Sequence, residues 1–423
     1  MSNEPAKGDS PDPENPFKGT PFEQMFSGGQ MPDMSQLMAQ FQSMMTPYDG
    51  PVNWTLAHDT ARKLAAQAPD PTPSRAERDR VADSVRLADH WLDTVTPLPS
   101  GVNVGAAWSR AEWIEQTMPV WQVLVAPIAG SVNGAMASAM PDEVKAMAGP
   151  MLGMFNKMGG SLFGAQVGQG LGALAGEVLT ASDIGLPLGP AGQAALVTTN
   201  VAAFAEGLDV GEDDVVLYLA LRECAHQRLF AHVPWLRAHL IGAVESYAAG
   251  MTIDMGGIEA TMRDIDPSNP AAMQEALQGG LFEPAQTPAQ QAALQRLETT
   301  LALVEGWVDE VVSQAATRMP TAVKLQEAVR RRRAAGGPAE QTFGALVGLE
   351  IRPRRLRDAA TLWGSLRDRF GADGREAVWA HPDLLPTAAD LDDPLGFRSD
   401  LSEPKPLTDE EFDAELNKLL DEQ

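Results

Sequence analysis

Residues 221–240 read LRECAHQRLFAHVPWLRAHL. With the residues before them, they predict a helix over about 215–231, capped by Asp213 or Asp214 and stopped ahead of Pro234. On such a helix Glu223 and His226 are three apart and share a face. Arg222 and His226, four apart, do so too. Apolar periodicity of the same helical kind recurs from Val52 onward, so the fold class is mainly α.

The run Arg222-Glu223-Cys224-Ala225-His226 is an altered H-E-x-x-H motif. In the intact motif two imidazoles one helical turn apart ligate a tetrahedral zinc ion, and the glutamate activates its water. Here Arg222 fills the first His position, while Glu223, the two-residue spacer and His226 remain. An isolated Glu-x-x-His is a weak signal, because it arises by chance in many helices as a surface or capping pair. Arginine does more than remove a ligand. Two unit charges about 4 Å apart, at an effective dielectric near 20, interact by about 4 kcal/mol, and a guanidinium keeps its proton. A divalent cation beside Arg222 is therefore repelled. Cys224 sits two residues from His226 and points elsewhere, which predicts a small core residue rather than a nucleophile. His232 is rotated about 240° from His226. His58, His90, His239 and His381 fall in no ligand pattern.

Composition narrows the class. The 423 residues are 44% hydrophobic, enough for one large domain or two smaller ones. Aromatic residues make up only 6%, which favours closely packed helices over sheets. The net charge of −25 repels nucleic acid and anionic lipid and favours basic partners. Cys224 is the only cysteine, so no intrachain disulfide forms and a reducing compartment is expected. The first 18 residues lack the basic start and apolar stretch of a secretory signal, and a cytoplasmic location is the expectation.

Three segments follow along the chain. Residues 1–50 read as disordered, with a Met- and Gln-rich stretch in which Met34, Leu37, Met38, Phe41 and Met45 fall at helical spacing. Residues 51–400 carry the predicted helices 54–66, 74–94 (with Ser74 as N-cap), 107–128 (kinked at Pro119) and 300–316. Gly160, Gly164, Gly168, Gly172 and Gly176 form a ladder suited to close backbone approach. Its stripe winds around the helix, which suits more than one neighbour. Polar residues in and around it argue against a membrane span. Residues 182–192 form a loop by their Gly and Pro content. The arginine runs Arg330–Arg333 and Arg352–Arg357 read as ion-pair partners rather than a nucleic-acid site. Residues 401–423 form an acidic tail in which Thr408 and Glu411 begin a short amphipathic helix.

Val233-Pro234-Trp235-Leu236, Glu305-Gly306-Trp307, Gly348-Leu349-Glu350, Trp379 and Leu385-Pro386-Thr387 follow the altered motif in that order. Together they resemble a bacterial zincin-like family of zinc-dependent metallopeptidases or hydrolases, some of whose members carry names tied to deazaflavin-cofactor biosynthesis. The resemblance covers roughly residues 50–400. It implies a zincin-like multi-helix domain with a small strand element near the site, zinc as cofactor, Glu223 as general base, His226 as a zinc ligand and Glu305 as the ligand from a second helix. Trp307 stands where relatives often have His. Asp309, four residues from Glu305, is a further ligand if a metal binds alongside Glu223, His226 and Glu305. With Arg222 at the first ligand position, the expectation is an ion pair from Arg222 to Glu305 or Glu223 that takes the metal's place. Two functions follow. One is a hydrolase of this family with an altered, impaired zinc site. The other is a non-catalytic scaffold that binds a protein or peptide.

Overall fold

Small residues decide how the first helices pack. In the computed structural model, which describes residues 48, 50–139, 149–249, 287–334 and 355–398, helix α1 (Trp54–Ala65) buries Ala57, Ala61 and Ala65. Asn53 caps it by accepting from the Leu56 amide. Three helices on, α4 (Gly149–Glu177) carries the glycine ladder. A Cβ on Gly164, Gly168 or Gly172 would lie 2.5, 2.4 or 2.7 Å from Asn53, Ala57 or Leu64. Over these three glycines the stripe meets α1 and its cap, where Ala57 and Ala61 follow the same four-residue spacing, whereas a Cβ on Gly176 would meet nothing within 4 Å.

Helix α2 (Arg75–Leu92) starts at Ser74 with a full capping box, Ser74 and Glu77 each bonding the other's amide. It buries Val81, Val85, Ala88 and Leu92. The segment predicted to open a helix at 107 does not. Strand β1 (Val104–Trp108) comes first, and helix α3 (Arg110–Ala139) follows, running through both Pro119 and Pro127. β1 pairs in parallel with β2 (Gln193–Val197), Val104 opposite Gln193 and Trp108 opposite Val197. The expected short strand therefore falls just after the 182–192 loop. On the other side of β2, residues 179–181 run antiparallel, Ala181 donating to Ala195 and Val197 to Leu179. This ribbon delivers the chain to Ser182.

After α5 (Thr198–Ala205) comes α6 (Glu212–His232), the helix of the altered motif. Its N-cap is Gly211, and Asp213 and Asp214 lie in the first turn instead. There they favour the positive end of the helix dipole. α6 is buried almost all round over residues 215–229, which makes it a core helix. Arg228 ties it to α2 through Asp89 and Asp93, both 2.7 Å away. The chain turns at Pro234 into α7 (Leu236–Ala249). α8 (Pro288–Ala315) packs beside α6 and starts earlier than predicted, at a Thr287–Gln290 capping box. α9 (Ala322–Ala334) lies against both. α10 (Leu356–Glu376) breaks at Gly371, where φ is +74°, and crosses α8 at Gly306. A Cβ there would stand 2.5 Å from that of Ala359.

Residues 49–423 form one unit. It is mainly helical with a two-stranded parallel sheet. Among the described residues no helix is long and apolar enough to cross a membrane. The Met-rich segment, Gly348-Leu349-Glu350 and the predicted C-terminal helix lie outside the described residues.

The glycine packing gives a paired test. Gly168→Ala should destabilise by about 1–3 kcal/mol, the usual cost of overpacking. Gly159→Ala, with nothing within 4 Å of its Cβ, should be neutral or stabilise by up to about 1 kcal/mol. Urea unfolding of both variants measures the contrast.

Candidate functional site

The site forms where α6, α8 and α9 meet the loop after residue 181. Glu305, on α8, is its centre. Its Oε2 accepts from Arg222 Nη2 at 2.6 Å and lies 2.6 Å from Arg333 Nη1. Its Oε1 is 2.9 Å from His226 Nε2. Burial alone would raise its pKa. Arg333, His226 and Arg222 outweigh that and hold the carboxyl well below the ordinary range.

His226 faces acceptors on both sides. Nδ1 lies 2.9 Å from the carbonyl oxygen of Arg222, one turn back, and Nε2 meets Glu305. The Nδ1 contact resembles the carbonyl bond that orients a metal-bound histidine.

Glu223 turns to a different partner set. Its carboxylate accepts from the Ser182 amide at 3.0 Å, the Ser182 hydroxyl at 3.1 Å and Gln227 at 2.9 Å. The side chain is fully buried, and burial raises its pKa against the opposing charge of His226. Asp183, next to Ser182, is held by Arg332 at 2.9 Å, and Arg333 donates to its carbonyl. Arg332 and Arg333 keep its carboxyl below the usual range despite burial. Asp309, one turn after Glu305, receives Arg330 at 2.5 Å and Gln326 at 3.2 Å, with Arg222 3.8 Å away. Tyr218 is buried beside Arg222 and Asp309, and its pKa is pushed up to about 12 by burial.

Arg222, His226, Glu305 and Asp309 therefore share one cluster. Glu223 is on the same helix, but its oxygens are directed to the loop. Trp307, two residues from Glu305, projects to the other side of α8, where Nε1 donates to Glu376 at 3.1 Å. Trp307 thus lies away from this cluster. His232 is exposed and lies near the Ser100 carbonyl. Burial raises the Cys224 thiol's pKa well above its usual value, and the thiol lies 3.6 Å from the Val85 carbonyl, as suits a core residue. Sequence reasoning missed Asp183, Ser182 and the part played by Arg333. The run Arg330–Arg333 in an acidic chain was the available signal, since three of its four members reach this cluster.

As placed, the described residues offer zinc no ready site. Glu305 Oε2 already faces two guanidinium groups and Oε1 faces His226, and no group of three His, Cys, Asp or Glu side chains among the described residues is arranged to hold a metal.

The fold and motif position define the class: the chain belongs to the zincin-like metallopeptidase family, whose profile matches residues 52–397. No curated protein matches it. A crystal structure from Chloroflexus aurantiacus, described as "a putative hydrolase with a novel fold", is similar with a TM-score of 0.58 and 21% identity. The match covers 81% of this chain and 96% of that one, and at this identity it is a likeness of fold.

Two substitutions separate the two glutamates. Glu305→Gln strands buried guanidinium groups and should cost about 3–5 kcal/mol. Its own effect should shrink with acid: a depressed pKa gives stability that is present above the unfolded carboxyl pKa and lost as pH falls toward the folded one. Glu223 has the opposite sign, its raised pKa giving stability that is lost as pH rises through the folded value. Glu223→Gln should therefore raise the melting temperature more at pH 8 than at pH 5. Thermal melts of both variants across pH check the two signs.

Proposed function

We propose that this member of the zincin-like metallopeptidase family has exchanged its zinc site for an ionic cluster and works as a non-catalytic protein that binds a protein or peptide partner. One observation carries the reading. Glu305, at the second-helix ligand position, faces Arg222, Arg333 and His226, so each ligand atom that zinc would need is engaged. The cluster joins α6, α8 and α9 by charge-assisted contacts, the structural part of what a metal does.

The hydrolytic reading rests on family membership and keeps Glu223 as general base. Here the Ser182 amide and hydroxyl and Gln227 occupy both of its oxygens. A base must reach its substrate water, so hydrolysis would first require this loop to leave. The acidic charge of the chain favours a basic partner.

Elemental analysis of the full chain, purified without chelator, tests the proposal. The expected result is no stoichiometric zinc and the same melting temperature with and without EDTA, since a ligand bound to the folded state alone would raise it. One zinc per chain, lost in His226→Ala, would overturn it and restore the hydrolase.

A further inference from the structure

Two guanidinium groups stand 2.6 Å from the same oxygen of Glu305, and they come from different elements. Arg222 belongs to the motif helix, at the first ligand position. Arg333 comes from α9, which is no part of the motif. Beyond Glu305, Arg333 donates to the Asp183 carbonyl and stands 3.7 Å from the Asp183 carboxylate. Ser182, the preceding residue, holds Glu223 through its amide and hydroxyl. Gly185, with φ +78°, brings the backbone so close that a Cβ would sit 3.1 Å from Glu305 Oε1. Arg333 therefore grips both the central carboxylate and the loop that covers the second glutamate.

We infer that the metal of intact relatives is replaced in this chain by two cations acting together, and that Arg333 is the second. This rests on the metal-free reading above. The charge count supports it. A zinc ion would bring two positive charges to Glu305, and Arg222 and Arg333 together bring two. Histidine in place of Arg222 would supply the missing imidazole and remove one charge. Arg333 would still occupy Glu305 Oε2 and pin the 182–185 loop. An incoming dication would meet a fixed cation about 4 Å away, a repulsion of about 8 kcal/mol at an effective dielectric near 20, or roughly a millionfold in affinity before any relaxation. Removing both guanidinium groups leaves a deficit of two charges and three protein ligands, the count of an open zinc site.

The test compares full-length Arg222→His with the double variant Arg222→His, Arg333→Met. Zinc affinity is read by competition with a chromophoric chelator, and stoichiometry by elemental analysis. A second double variant, Arg222→His with Arg333→Gln, keeps a neutral hydrogen-bonding side chain in case the methionine disturbs packing. A third, with Arg333→Lys, keeps the charge. Circular dichroism and a cooperative melt establish folding. The neutral double variants should bind one zinc at least about a hundredfold more tightly than Arg222→His alone, allowing for partial relaxation of the repulsion. The lysine variant should stay weak. Equal affinity of Arg222→His and the neutral doubles would overturn the role of Arg333, and so would a folded neutral double that takes up no zinc. Zinc in the unaltered chain would instead overturn the metal-free reading beneath it. The two failures are thus distinguishable.

Discussion

A carboxylate removed from water between packed helices must be given charge or hydrogen bonds on both oxygens. Moving such an ion out of water costs several kcal/mol even after relaxation. Glu305 is in that position, and its contacts with Arg222, Arg333 and His226 meet the requirement. Each partner then makes a further demand. Arg222 must share its charge with Asp309, His226 must direct Nδ1 at a backbone carbonyl, and Arg333 must reach the 182–185 loop. The arrangement of α6, α8, α9 and that loop follows from satisfying this one group.

The opposite side of α8 repeats the logic with different residues. Glu376 accepts from Trp307, Thr96 and Arg375, and Arg375 also donates to the Val95 carbonyl. Between the two sites Gly306 allows the backbone of α10 to approach α8. The Glu305-Gly306-Trp307 triplet therefore divides its work by helical geometry: a carboxylate to one side, an indole to the other, and no side chain where the next helix crosses. A residue at the third position has little access to the Glu305 cluster, whatever its chemistry.

Much of this was legible in sequence where the governing interactions are local. The Ser74–Glu77 capping box, the stop before Pro234 and the helical faces of Arg222, Glu223 and His226 all involve residues a few positions apart. The misreadings are non-local. Ala107 and Trp108 belong to a strand because Gln193–Val197 lies alongside, and no feature of 104–108 alone specifies that partner. The glycine ladder was expected to suit more than one neighbour. Its members Gly164, Gly168 and Gly172 meet α1 and its cap, because Ala57 and Ala61 follow the same four-residue spacing. In the site, the spacing of Arg222 and His226 was readable, while the meeting of Arg333 with Glu305 and Asp183 depends on how α9 folds back. The arginine run announced that acids would be needed. It could not say which.

Why the chain keeps Glu305 in an ionic cluster is a question of specificity more than of stability. A buried ion pair replaced by well-packed apolar residues is often no less stable, so the cluster need not add much to the free energy of folding. What it adds is register. Leu325 and Val329 are the buried apolar residues of α9, and two such contacts would tolerate a shift along the groove. The pairs Arg330–Asp309, Arg332–Asp183 and Arg333–Glu305 would not, because a displacement of one turn would break all three at once. In a metal site, coordination geometry fixes how the helices meet. In this chain fixed charges at matched spacing do so, and they also close the loop over Glu223. On the metal-free reading, the features that exclude a metal are the same features that hold the helices in place.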